Sequence, residues 1–93
     1  MLANKRQNQN RVNKIILALK QARINRGITR YQLSKDTGLS DSSISNIEQL
    51  KQNPTLSTLI EMAVSINFDL PKAIKENYPD LPEDGKNTSG NAG

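Results

Sequence analysis

The chain has no cysteine, no histidine and no tryptophan, and its only aromatic residues are Tyr31, Phe68 and Tyr78. Without cysteine there is no disulfide, no thiolate nucleophile and no soft metal site. Without histidine the side chain that most often acts as a general base near neutral pH is missing. The nine acidic residues are scattered, and no metal-binding or phosphate-cradling motif is present. An enzyme, a metal centre and a cofactor are therefore not expected. No apolar run reaches the ~18 residues that a membrane helix needs, and the opening MLANKRQNQN is polar where a signal peptide would be apolar. A cytoplasmic protein with no membrane partner is expected. There is no hairpin signal, no alternating run long enough for a strand and no internal repeat. So few aromatics also leave little on which single-stranded RNA bases could stack.

What is present is helical patterning and a lopsided charge. The 93 residues, 34% of them apolar, make one small domain with one modest core. Residues 1–53 hold ten lysines and arginines against Asp36, Asp41 and Glu48, a net +7, whereas residues 54–93 hold three lysines against six acids, a net −3. A basic half suits a polyanion, because neutralising phosphates releases their counterions.

From Val12 to Arg26 the apolar residues Val12, Ile15, Ile16, Leu19 and Ala22 recur at threes and fours, the mark of a helix that Gly27 stops. Thr29 is a natural cap for a second helix, RYQLSKDT, which carries Leu33 and Thr37 inward and ends at Gly38. Ser40 caps a third, with Ile44 and Ile47 inside, before Asn53-Pro54 breaks the chain. Thr55 caps a fourth, with a stripe of Leu56, Leu59, Ile60, Ala63 and Ile66. Asp69 caps a brief fifth helix that tolerates Pro71 in its first turn. An all-α fold of five short helices is expected over residues 11–77. Residues 1–10, rich in Asn, Gln and charge, read as a flexible arm, and residues 78–93, with little to bury, as a disordered tail.

The centre of the chain carries the functional signal. Two short helices joined by Gly38-Leu39-Ser40 cross steeply, which is helix-turn-helix geometry. Leu33, Leu39, Ile44 and Ile47 are spaced to meet inside the angle, and Ser34 is small enough for a close approach. On the third helix Ser42, Ser45, Asn46 and Gln49 form the opposite stripe. Such side chains donate and accept hydrogen bonds, let a helix backbone come close to a major groove, and include amides that can bridge N6 and N7 of adenine.

The run from Leu19 to Leu70 resembles the lambda-repressor-like family of phage Cro and repressor helix-turn-helix domains. The features shared are an Arg before a G-[hydrophobic]-T turn, L-S-x-x-x-G-L-S, I-x-x-I-E, a following N-P, and L-x-x-[LI]-x-x-[AM]. The resemblance implies a compact five-helix domain that binds a double-stranded DNA operator as a homodimer, as a transcriptional regulator and more specifically a repressor. It implies that Arg30 holds a phosphate beside Thr29. Asp41, Ser42, Ser45 and Asn46 would face bases, with Ser40 and Ser43 in the same DNA-facing set, and Gln49, Lys51 and Asn53 would meet the backbone. Arg23 and Glu48 match a salt bridge between the first and third helices.

Two departures stand out. Leu50 occupies a position where the family commonly has glycine, so the chain must leave the third helix differently or bury that leucine. Asp41 brings a carboxylate to a phosphate-rich surface, where it can accept from cytosine N4 or cap the helix. Phe68, Leu70 and Ile74 are candidates for either a dimer surface or the core. Lys5 and Arg6 serve either as a solubilising arm or as contacts to the minor groove or phosphates. An antitoxin-type regulator, binding a partner protein as well as DNA, is the alternative reading.

Overall fold

Local chemistry starts and stops most of the helices. In the computed structural model, which describes residues 5–82, the elements are α1 Lys5–Asn25, α2 Arg30–Thr37, α3 Asp41–Glu48, α4 Leu56–Ile66 and α5 Leu70–Asn77, with no strand among the described residues. Thr29, Ser40, Thr55 and Asp69 each accept a hydrogen bond from a backbone N–H in the first turn of the helix that follows, satisfying donors that have no partner inside the helix. At α2 the cap is reciprocal: the Thr29 N–H donates to the Gln32 side chain at 2.8 Å while Gln32 N–H donates to the Thr29 hydroxyl at 3.0 Å.

The ends of α1 to α4 are closed by left-handed residues. Gly27 ends α1, with its own N–H on the Ile24 carbonyl and the Ile28 N–H on the Arg23 carbonyl, the paired bonds of a Schellman motif. Asn67 closes α4 in the same way, through Val64 and Ala63. Gly38 ends α2 with φ +80°. The turn it begins is tied by side chains: the Ser34 hydroxyl donates to the Leu39 carbonyl at 2.8 Å, and the Thr37 hydroxyl accepts from the Leu39 N–H at 3.2 Å. Ser34 therefore contributes a bond as well as its small size.

The helices pack α1 on α5, α2 on α3 and α4, and α1 on α3 and α4. Their shared core contains Ile15, Ile16 and Leu19 of α1, Leu33 of α2, Ile44 and Ile47 of α3, and Met62, Ala63 and Ile66 of α4. Leu39 and Leu59 pack against it, half-buried. The α4 stripe is turned relative to expectation. Met62 is fully buried, whereas Leu56 is 66% exposed and Ile60 45%, because α4 presents the Met62–Ala63–Ile66 side to α1 and α2.

Helix α1 begins earlier, and packed residues run further, than the sequence pattern suggests. Residues 5–10, expected in an arm, are the first turns of α1, and residues 1–4 lie outside the described residues. Their polar sequence hides the helix because the partners are distant: Gln9 and Asn53 exchange two amide hydrogen bonds, and the Tyr78 hydroxyl donates to Asn8. Arg11 meets Asp80 at 2.7 Å and lies over the Tyr78 ring. Tyr78 and Asp80, expected to begin a tail, make these contacts, and residues 83–93 of the expected tail lie outside the described residues.

Leu50 settles the exit from α3. It adopts φ +65°, donates its N–H to the Ile47 carbonyl, and is followed by a Lys51 N–H to Asn46 carbonyl bond. This is a Schellman motif built on a leucine, and the side chain is left 39% exposed. A left-handed leucine is strained, by roughly 1–2 kcal/mol. Leu50→Gly should raise the unfolding free energy by about 0.5–1 kcal/mol, after the larger chain entropy of glycine is subtracted. A urea denaturation curve that moves to lower midpoint would contradict the strain.

Candidate nucleic-acid interface

The amphipathic division of α3 builds the site. Ile44 and Ile47 are buried against the core, and this turns Ser42, Ser45, Asn46 and Gln49 to the other side. Ser42 and Gln49 are exposed, while Ser45 and Asn46 are half-buried. The ridge is internally ordered: the Gln49 amide nitrogen donates to the Ser45 hydroxyl at 2.6 Å, leaving the amide oxygen and the second N–H for an outside partner. At the start of α3, Ser40 accepts from the Ser43 N–H and donates to the Ser43 hydroxyl at 2.9 Å. Ser40 and Ser43 thus spend part of their capacity on the cap. Asp41 does not take the cap position, which Ser40 holds. It is exposed in the first turn, where a carboxylate complements the positive end of the helix.

Behind the ridge lies a charged cluster. Glu48 is 1% exposed and Arg23 7%. The two form a bidentate pair, Arg23 Nε to Glu48 Oε2 at 2.7 Å and Arg23 Nη2 to Oε1 at 2.9 Å. Arg23 Nη1 also donates to the Ile28 carbonyl at 2.6 Å. Arg30 adds a second cation, its Nε donating to Glu48 Oε1 at 3.0 Å. The sequence reading missed this bond, since the two residues lie 18 positions apart and no local pattern links them. The Arg30 side chain remains 40% exposed, so Glu48 orients a guanidinium whose outer face is open to solvent.

Burial pushes the Glu48 carboxyl up, and the hydrogen bonds and charges of Arg23 and Arg30 more than reverse this, holding it below the ordinary carboxylate range.

The other predicted positions divide. Thr29 is engaged with Gln32, Lys51 is exposed, and Asn53 is bonded to Gln9. Leu70 is a core residue at 6% exposure. Phe68 and Ile74 are half-buried and line an apolar groove of about 490 Å³ together with Leu56, Ile60 and Val64. The sequence signal for this groove is the α4 stripe, which has more apolar residues than one buried face can use. Among the described residues no group of His, Cys, Asp or Glu could hold a metal ion, and no helix is long and apolar enough to cross a membrane.

A family model described as helix-turn-helix, of the lambda-repressor-like kind, matches residues 19–72, from the middle of α1 into α5. No curated protein and no solved structure matches the chain.

The buried carboxylate makes stability pH-dependent. Its folded pKa lies below the unfolded value of about 4.3, so its contribution is complete above that pH and is lost as pH falls through the folded pKa. Glu48→Gln should cost about 3–5 kcal/mol at neutral pH, because it leaves two arginines without their counter-charge. The gap between variant and wild type should narrow below about pH 4 in urea unfolding measured across the acid range. A gap that does not change with pH would remove the ionised pair as its source.

Proposed function

The chain belongs to the lambda-repressor-like helix-turn-helix family, a family of DNA-binding transcription regulators, and from that premise we propose that it is a repressor that binds a palindromic operator as a homodimer. The observation that carries the proposal is the outward ridge of α3, with Ser42 and Gln49 exposed and Ser45 and Asn46 half-buried between them, on a helix held from behind by Ile44 and Ile47. Small hydroxyl and amide side chains allow α3 to enter a major groove and read base edges. Arg30, tethered by Glu48, and Lys51 beyond the end of α3 hold phosphates on either side and set the register. Bound operators would be occluded to polymerase by occupancy alone.

The dimer reading rests on α4. Leu56, Ile60 and Val64 stand at i, i+4 and i+8, one straight exposed row with Val64 at 74%, and they continue into the groove floored by Phe68 and Ile74. A two-fold pairing of such rows is self-complementary, and it would set two recognition helices about 34 Å apart. In this reading α4 with Phe68 and Ile74 forms the dimer surface, while Leu70, buried at 6% exposure, serves the core. The same groove is the feature that favours the antitoxin-type alternative, in which a second protein fills it.

Selection of bound duplexes from a random pool at fixed salt tests the proposal, the expected product being a palindromic consensus. On that consensus Asn46→Ala should cost about 1–3 kcal/mol, with little change on random duplex. Arg30→Ala should weaken both and reduce the salt slope by about one unit. Equal loss of both duplexes on Asn46→Ala would place that residue off the bases.

Val64→Glu should convert the dimer to a folded monomer in sedimentation. A wild-type chain that sediments as a monomer while co-purifying with a different protein would favour the alternative.

A further inference from the structure

Helix α1 carries six lysines and arginines over Lys5–Asn25 and no acidic residue. Two of the six are committed inside the protein, Arg23 to Glu48 and Arg11 to Asp80. Two others, Lys5 and Arg6, are exposed in the first turn and lie well outside the segment matched by the family model. They are not on a loose arm. Gln9, one turn further on, exchanges paired amide hydrogen bonds with Asn53 at 2.9 and 3.0 Å and takes a further bond to Asn13. On the far side Asn8 accepts from Tyr78, and Arg11 is held by Asp80 and the Tyr78 ring.

The direction of α1 follows from two tie points. Gln9 and Arg23 are fourteen residues apart in one helix, close to four whole turns, so they share a face. Arg23 meets Glu48, the last residue of α3, and Gln9 meets Asn53, five residues later. That face of α1 therefore runs along the chain as it leaves the recognition helix. Gln9 and Asn13 share a shallow polar cleft of about 210 Å³ with Lys51 and Asn53. Lys5 and Arg6, four and three residues before Gln9, extend the line by one turn past Asn53.

We propose that the first turn of α1 is a second DNA-backbone contact, in which Lys5 and Arg6 continue the cationic line of Arg30 and Lys51, and the Gln9–Asn53 amide pair acts as the latch that positions them. The proposal rests on the DNA-binding reading above. A docked helix presents its cations at lower entropic cost than a free arm, because ordering is complete before the duplex arrives.

The test uses the full chain, a mixed-sequence DNA duplex and fluorescence anisotropy over a range of salt. Phosphate contacts do not depend on sequence, so no operator is needed. Replacing both cations, Lys5→Gln with Arg6→Gln, should lower the salt slope by about two units. Gln9→Ala should weaken binding although it removes no charge, and the double charge replacement should then have a smaller effect in the Gln9→Ala background than in the wild type. If the wild type binds and the slope is indifferent to Lys5 and Arg6, the inference fails while the DNA-binding reading stands. If the charge effect is equally large in the Gln9→Ala background, the contact is made by a loose segment and the latch is refuted. If the wild type binds no duplex, the DNA-binding reading falls and takes this inference with it.

Discussion

A buried carboxylate shared by two arginines holds the site together. Glu48 ends α3, Arg23 comes from the last turn of α1, and Arg30 begins α2, so one anion joins the three helices that form the recognition unit. An unpaired charge in that position would cost several kcal/mol. The arrangement is thus highly selective about geometry, since a shift in any of the three helices strips a partner from a group that cannot reach water. Among the described residues no buried side-chain nitrogen or oxygen lacks a hydrogen-bond partner, so the selectivity comes without an unsatisfied group. Replacing the cluster by apolar residues could be neutral for stability, but it would lose the orientation of Arg30.

The apolar contacts provide the complementary constraint. Ile44 and Ile47 drive one side of α3 into the core and thereby decide which side is left for an outside partner. The caps at Ser40 and the turn bonds of Ser34 and Thr37 then set where α3 starts relative to α2. Much of the hydroxyl content of this stretch serves the turn and the cap; Ser42 and Ser45 are the serines left on the outer ridge. Among the described residues Leu50 is the one place where a backbone requirement and the residue type conflict. The turn keeps its left-handed geometry, and the strain falls on the leucine.

Much of the fold was legible in the sequence, and for local reasons. Thr29, Ser40, Thr55 and Asp69 were readable as caps because a cap bond spans three residues, and Gly27 and Gly38 as stops because few other residues accept positive φ cheaply. The outer stripe of α3 was legible because Ile44 and Ile47 leave only one face for it. The start of α1 was not legible: Lys5 to Asn10 carry no apolar period, and their contacts lie 44 and 70 residues away. The orientation of α4 was also ambiguous. Leu56, Leu59, Ile60, Met62, Ala63, Val64 and Ile66 span an arc of roughly 200° opposite Ser57, Thr58, Glu61 and Ser65, and periodicity cannot choose which part of so wide an apolar face is buried.

The sequence by itself determined the five helices, the glycine-punctuated turn between α2 and α3, and the polar ridge opposed to two isoleucines, because each depends on bonds or spacings within a few residues. Only the tertiary structure decided that Arg30 shares Glu48 with Arg23, that α1 is latched to the chain beyond α3 through Gln9 and Asn53, and that Leu56, Ile60 and Val64 remain outside the core. Those outcomes depend on which helix faces meet, and that is a competition for buried space and charge partners among segments far apart in the chain.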